Sequence, residues 1–500
     1  MPARWTVAAI PALGIGLGLA LDALRRAAHQ ARFPFDLNFW SEDYFMTAML
    51  RLDAGAPVYG PVTDAGSSIY SPGGPWLHHA LLAPFGLSTS VAANRMLSQL
   101  GVLSAIALGV WFALVIAKPA QRAARITTAA LAAAALVLAA YANPVAVSLH
   151  PVTWEMPVLA ATMLVLAKWS DLSPRARVLA CVLLPALGFL AKQTAGPTVA
   201  LALAVVMLRD RKSLAIVPIV SLVGTALALH VITNGHFTEW GLSLLAAQGF
   251  EGGSKWRDDL LGMGLWFSPA LLGALMYIHR RDRAWLRAAL VPLVYAPACV
   301  LAFAKTLGGP NNVAALGFVV SISAVAAWLA LLRERASATA LLLAHLVLLH
   351  PRRHAPTEFD YANAARICAY ARARSACGEK ILLGRGTSCT APGVPRDRMV
   401  AIQDAFAANR ANDLAVWDRI GRGEYDLVLI HHTDLHRFGK LLWPKLSARY
   451  RAFYTSPHTD PADFWKRAWQ GYASQRMLFF ERADQAGEHA VTPEGSRCKF

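Results

Sequence analysis

Residues 178–208 read VLACVLLPALGFLAKQTAGPTVALALAVVML, and the topology of the whole chain turns on them. The stretch is apolar throughout, with one charge, Lys192, near its middle. As a single long helix it would put Arg177 and Arg209 on opposite sides of a bilayer. As a helical hairpin with Lys192 at the turn, it returns both to the same side. Short basic loops are retained on the cytoplasmic side of a membrane, so the hairpin is the expected form.

The pattern extends in both directions. The chain has 500 residues, of which 56% are hydrophobic and 16% charged, against about a quarter charged in soluble domains. Its mean hydropathy is +0.39. Apolar runs fill the region up to residue 350, as expected of helices crossing about 30 Å of hydrocarbon. The expected spans are 5–24, 91–117, 126–142, 154–168, 178–191, 195–208, 213–232, 260–278, 286–304, 313–332 and 336–350. Beyond Pro351 the composition becomes that of an ordinary globular domain. The expected fold is therefore mainly α, a polytopic bundle of about 11 spans. Residues 1–350 form the membrane domain, with juxtamembrane helices in 25–90, and 351–500 a small α/β domain.

The net charge of +17 raises the question of nucleic acid, but the basic residues form short clusters between apolar runs, with no basic patch interleaved with aromatics. Lys118, Arg122 and Arg125 lie in one loop, and Lys168, Arg175 and Arg177 in the next alternate one. Arg209, Arg211 and Lys212 follow, then His279, Arg280, Arg281 and Arg283, then Arg333 and Arg335. Every second loop is basic, which accounts for the charge without a nucleic-acid partner. Arg4 puts the N-terminus on the same, cytoplasmic side. The stretch from Trp5 to Leu24 lacks a small-residue cleavage site followed by polar sequence, so it reads as a retained first helix. The expected location is the cell (inner) membrane, with residues 351–500 outside the cytoplasm.

In that orientation the outer segments are 25–90, 143–153, 192–194, 233–259 and 305–312. Residues 40–52, WSEDYFMTAMLRL, align Phe45, Met49 and Leu52 on one helical face. Residues 76–86, WLHHALLAPFG, are apolar but too short to span. Both are expected to lie in the membrane interface, with His78 and His79 interfacial rather than ligating. Glu42 and Asp43 begin the first piece. Such a pair suits a divalent cation or a general base, although spacing alone favours an acidic first helical turn stabilised by the macrodipole. Glu155, in HPVTWEMP, stands at the edge of a span, where an ionisable group is solvated, paired or functional. Lys192 at the hairpin turn suits a lipid phosphate or the headgroup layer. Lys305 with Asn311 and Asn312, in KTLGGPNN, offers cation and amide donors beside glycines that admit close approach; a plain Gly-Pro-Asn turn has the same composition. Lys255 and Arg257 add positive charge to the 233–259 loop.

The order of these features resembles the GT-C superfamily, polytopic glycosyltransferases that take sugar from polyprenyl-phosphate donors. A first helix precedes a long outer loop with an acidic pair, SEDYFMTAMLRLDAGAPVYG, and then the Tyr-Ser-Pro-Gly-Gly-Pro segment at 70–75. HPVTWEMP takes the place of a His-Pro-Asp-like stretch, and LAKQTAG and KTLGGPNN fall in later outer turns. The likeness covers essentially the whole chain. It departs from the usual pattern in having Glu42–Asp43 for Asp-Glu or Asp-Asp, and Glu155 for Asp, departures that bear on the base and on any metal. The resemblance implies Asp43 or Glu42 as catalytic base. It implies a substrate site from Tyr70, His150, Glu155, Lys192, Gln193, Lys255, Arg257, Lys305, Asn311 and Asn312. A divalent cation (Mg or Mn) on Asp43 and Glu155 would fit that scheme. The partners implied are a polyprenyl-phosphate sugar donor, membrane lipid, and a glycan, glycolipid or protein acceptor, with inversion at the anomeric carbon.

In the tail, ILLG at 381–384 and YDLVLIHH at 425–432 read as buried strands, and 360–376, 402–420 and 436–450 as helices. His431, His432 and His436 fit a strand end and surface helix better than a zinc site. Cys368, Cys377, Cys389 and Cys498 are expected to form at least one disulfide, whereas Cys181 and Cys299 lie in spans as apolar fillers. Two other classes are compatible with such a chain: a transporter or flippase, and a non-catalytic assembly protein of the cell envelope.

Overall fold

The computed structural model describes residues 3–35, 39–250, 272, 275, 277–305, 310–332, 336–349, 358–384, 397–455 and 477–484. Lys255, Arg257, Cys389, Cys498 and nearly all of the expected span 260–278 lie outside the described residues.

The decisive stretch folds as a hairpin. With α1 (Ala3–Arg32), α2 (Phe39–Asp53), α3 (Gly73–Leu82), α4 (Val91–Ala117), α5 (Arg122–Tyr141) and α6 (Val152–Ala167) preceding it, α7 runs over Pro174–Ala191. Ser173 caps it by accepting from Ala176 N, and Pro174 begins it with a φ already suited to a helix. It ends at Lys192, whose backbone is extended (φ −160, ψ 134). The chain re-enters the bundle as α8 (Ala195–Asp210), packed against α7. The turn closes tightly because Gly188 and Gly196 face each other: a Cβ on Gly188 would stand 3.2 Å from Gly196 Cα. α9 (Val217–Ile232), α10 (Arg283–Ala304), α11 (Ala314–Leu331) and α12 (Ala336–Leu348) complete the described bundle.

Among the described residues, six helices are long and apolar enough to cross a membrane: Val91–Ala117, Arg122–Tyr141, Pro174–Ala191, Lys212–Ile232, Arg283–Ala304 and Ala314–Leu331. The chain is thus a multi-pass helical protein. Alternate loops converge as the charge pattern requires. Trp169 donates to Asp210, Arg177 pairs with Asp210 at 3.3 Å, and Arg287 donates to Ser170 Oγ at 3.0 Å. The loop before α7, the end of α8 and the start of α10 therefore share one end of the bundle. α2 and the α7–α8 turn belong to the other.

α4 packs closely on α6. A Cβ on Gly101 would stand 2.4 Å from Thr153 O, and neither backbone can give way within a close-packed interior. Gly101→Ala is expected to destabilise the protein by about 1–3 kcal/mol, read as a lowered thermal midpoint in detergent. An unchanged midpoint would mean that the two helices separate freely.

The juxtamembrane pieces correct the interfacial expectation in part. α2 is buried from Glu42 through Met49, because the C-terminal segment crosses over it. Arg398 pairs with Asp43 and Asp404 accepts from Tyr44, while Ala401 N donates to Ala65 O at 2.9 Å and Ala415 N to Thr63 O at 3.0 Å in the loop that follows α2. α3 keeps an open apolar face, with Leu77 and Leu81 exposed and Phe85 and Leu87 following. His78 is buried rather than interfacial: its Nδ1 meets Asn94 Oδ1 at 2.9 Å, and Trp154 Nε1 donates to its Nε2 at 2.9 Å. Burial pushes its pKa down to about 4, as suits a neutral ring that donates on one side and accepts on the other.

After α13 (Glu358–Ala376), five strands form a mixed sheet: β1 (Ile381–Leu383), β2 (Asp397–Arg398), β3 (Leu427–His431), β4 (Tyr450–Thr455) and β5 (Met477–Arg482). Their order is β2-β1-β3-β5-β4, with β1 parallel to both neighbours and β5 antiparallel to β3 and β4. Both strands read from the sequence are present, and β3 is buried along its length. The expected helix 402–420 is instead two short ones, α14 (Ile402–Ala407) and α15 (Val416–Gly421). Asn409 is left-handed there (φ 57), a residue that ends helices. His431 closes β3, and His432 opens α16 (His432–Arg449). Cys368 and Cys377 are disulfide-bonded. Nine positions of helix separate them by about 13 Å, too far to bond each other.

Candidate active site

α2 presents Glu42, Asp43 and Tyr44 in succession, and each is held by a different part of the chain. Glu42 accepts from Arg95 at both oxygens, Nε to Oε1 at 2.6 Å and Nη2 to Oε2 at 2.7 Å, with both side chains fully buried. Leu149 N adds a third bond to Oε1 at 2.9 Å. Asp43 accepts from Arg398 Nη1 at 2.7 Å, again in a buried pair. Tyr44 donates to Asp404, which also accepts from Gln248 Nε2 at 2.9 Å. Arg398 and Asp404, both from the C-terminal segment, thus grip consecutive residues of α2.

A second centre lies between α6, α10 and the α7–α8 turn. Lys192 Nζ stands 3.2 Å from Glu155 Oε2, with the lysine side chain 6% exposed and the glutamate fully buried. Glu155 Oε1 accepts from Tyr295 on α10 and from Thr194 Oγ1 at 3.4 Å. Gln193 braces the turn: it donates to Ile69 O at 3.0 Å and accepts from Ser71 Oγ at 3.3 Å.

Aromatic rings connect the two centres. Tyr70 packs edge-on to Tyr44 and to His150, each at a centroid distance of 5.6 Å. His150 accepts from Val152 N at 3.1 Å. Burial, followed by the charge of Lys192, lowers its pKa well below the usual imidazole value, so the ring is neutral. Burial, then the charge of Asp404, raises that of Tyr70, which keeps its hydroxyl protonated. Lys192, His150, Tyr70 and Tyr44 therefore follow one another in a line at one end of the bundle, and Asp43 precedes Tyr44 on α2.

The structure brings Glu42, Asp43, Tyr70, His150, Glu155, Lys192 and Gln193 into this line or against it. Lys305 is engaged elsewhere: its Nζ donates to Leu245 O, and its backbone pairs with Phe250. Asn312 donates to Ala302 O at 3.3 Å, which satisfies a carbonyl at the end of α10. The side chain of Asn311 is outside the described residues, as are Lys255 and Arg257.

A divalent ion between Asp43 and Glu155 does not fit this arrangement. Each carboxylate already faces a buried cation, and a metal would stand against Arg398 or Lys192. Among the described residues no group of three His, Cys, Asp or Glu side chains could hold a metal.

Sequence reading missed Arg95, Arg398, Asp404, Tyr44 and Tyr295. Arg95 did leave a signal, since it is the one charge within 91–117, and a charge in an apolar run has a partner or a function. Arg398 and Asp404 left none.

No protein-family model matches the sequence, and no curated protein matches it. The architecture is nevertheless a known one, shared with solved structures along the length of the chain. It is similar along its length to ArnT from Cupriavidus metallidurans in the apo state, with a TM-score of 0.56 at 14% identity, covering 94% of this chain and 98% of that one. ArnT bound to undecaprenyl phosphate aligns with a TM-score of 0.50 at 14% identity, covering 97% and 100%.

Proposed function

We propose that this chain is a membrane glycosyltransferase that moves a sugar from a polyprenyl-phosphate donor to an acceptor outside the cytoplasm. The observation that carries the reading is Lys192, a buried ammonium linked through His150 and Tyr70 to Tyr44 on α2, the helix that carries Asp43. It stands in a fold that ArnT shares, and ArnT has been captured with undecaprenyl phosphate. The basic loops at the far end of the bundle support an outward-facing site.

The chemistry follows from charge. The acceptor hydroxyl gives its proton to Asp43 as its oxygen bonds to the anomeric carbon. The bond from that carbon to the phosphate oxygen breaks, and its electron pair stays on the phosphate. Lys192 meets that growing negative charge in a site where water does not screen it. Attack opposite to the leaving group inverts the anomeric centre. Asp43 carries the base role rather than Glu42, whose two oxygens are committed to Arg95 and Leu149. Arg398 holds the Asp43 carboxylate in place, and apolar helix faces accept the prenyl tail.

The test is to incubate purified protein with radiolabelled polyprenyl-phosphate sugars and follow donor consumption. Lys192→Met is expected to raise the donor KM at least tenfold, roughly the 1.5–3 kcal/mol of a hydrogen bond to a charged group. If the wild-type chain consumes no donor, the enzyme reading is wrong.

A further inference from the structure

Lys192 is costly to bury, since an ammonium removed from water loses several kcal/mol unless a partner replaces the hydration. Glu155 is that partner, and its two oxygens are used unequally. Oε2 faces Lys192 Nζ, while Oε1 accepts from Tyr295 and, at longer range, from Thr194. A carboxylate free to rotate could turn either oxygen, or both, toward the ammonium and draw it down into the bundle. The Tyr295 bond removes that freedom. Together with the Lys192 and Thr194 contacts it links α6, α10 and the α7–α8 turn. Tyr295 is fully buried, and its ring rises from a helix whose other core-facing residues, such as Val291 and Phe303, are apolar. A hydroxyl in that setting needs a partner, and besides the Cys299 thiol on its own helix it has the counter-ion of the proposed phosphate-binding lysine.

Resting on the reading of Lys192 given above, we propose that Tyr295 is a positioning residue for donor binding: it pins Glu155 Oε1, so that Oε2 holds the Lys192 ammonium at the height where the lipid phosphate arrives. Tyr295 touches neither donor nor acceptor. Its effect passes through Glu155 to Lys192.

The position of the ammonium depends on every polar group around it. Besides Glu155, the described groups whose charge or polarity reaches this centre are His150 from the loop before α6, and Cys299, one turn beyond Tyr295 on α10. Neither carries the negative charge that balances an ammonium, which Glu155 supplies at 3.2 Å.

Two measurements on the full chain in nanodiscs test this. Binding of undecaprenyl phosphate alone, without sugar, is measured for wild type, Tyr295→Phe, Lys192→Met and the double variant. Tyr295→Phe is expected to weaken binding about tenfold, and the double variant to bind no more weakly than Lys192→Met alone. With labelled donor, Tyr295→Phe should raise KM by the same factor and leave kcat within about twofold, a split that general loosening of the bundle would not give. Equal binding by Tyr295→Phe and wild type, or strictly additive losses in the double variant, would overturn the proposal. Should Tyr295→Phe fail to fold, 3-fluorotyrosine at 295 keeps the hydroxyl and changes only its donor strength; an unchanged affinity there would be equally damaging. The two readings fail separately. Transfer by the wild type with no Tyr295 effect leaves the enzyme reading standing, whereas coupled binding losses without any transfer leave this one.

Discussion

Asp43→Asn should abolish sugar transfer, with a loss of about 10²–10⁴-fold, while leaving donor binding close to that of wild type. The amide keeps the volume of the side chain and an oxygen for Arg398, but it cannot take up a proton. Its cost to folding is a separate matter, because Arg398 loses the charge that balances it in a buried pair at 2.7 Å, and a buried charge left without its counter-ion destabilises by about 3–5 kcal/mol. The two effects can be told apart with Arg398→Gln. That variant removes the cation and leaves the carboxylate, so it should destabilise to a similar degree yet retain measurable transfer. The measurements are initial rates at saturating donor and thermal midpoints for the three proteins. Transfer by Asp43→Asn within tenfold of wild type would remove Asp43 from the role of base. Equal losses in Asp43→Asn and Arg398→Gln would make the pair structural.

The bundle was legible because its signals are local. Loop charges alone require the turn at Lys192, and the structure breaks the helix there with an extended residue. Two strands were legible as short continuous apolar runs, and β3 is buried on both faces as such runs imply. The burial of α2 was not legible. Periodicity reports that one face of 40–52 is apolar, and Phe45 and Met49 are indeed buried. It says nothing of a cover on the other face, where Tyr44 packs against Tyr70 and bonds Asp404, 360 positions away.

The site divides along the same line. Glu155 and Lys192 stood out because each is a charge bordering apolar sequence, where an unpaired ion is expensive, and they prove to be each other's partner. Asp43 stood out through its place in an acidic pair, but the pair is not a unit. Helical neighbours point about 100° apart, and accordingly Glu42 meets α4 while Asp43 meets the C-terminal segment. Arg398 lies in PRDRMV among other basic residues of a polar stretch. Nothing local distinguishes it, because its partner is 355 positions away.

The second large effect belongs to Arg95. Its guanidinium meets both oxygens of Glu42 and also donates to the carbonyls of Phe33 and Phe35, just after the end of α1. Arg95→Met therefore strips charge from two sides at once. Glu42 is left as a buried carboxylate with only Leu149 N among those donors, and two carbonyls lose their partner. The expected cost is about 3–5 kcal/mol for the broken pair, with about 1–3 kcal/mol more for each buried acceptor left unsatisfied. Glu42→Gln keeps an acceptor for Leu149 N and the packing volume, so its loss should be smaller. In a chain of this size the readout is the thermal midpoint followed by tryptophan fluorescence in detergent, together with transfer rate. Because α2 carries Asp43 next to the anchored Glu42, transfer should fall in Arg95→Met even below the temperature at which the bundle melts. The double variant Glu42→Leu with Arg95→Met removes both charges and should recover part of the midpoint, since an apolar pair can replace a buried ion pair. It should not recover it all, because the carbonyls of Phe33 and Phe35 stay unpaired. A wild-type midpoint and rate in Arg95→Met would mean that α2 is fixed by the C-terminal segment alone.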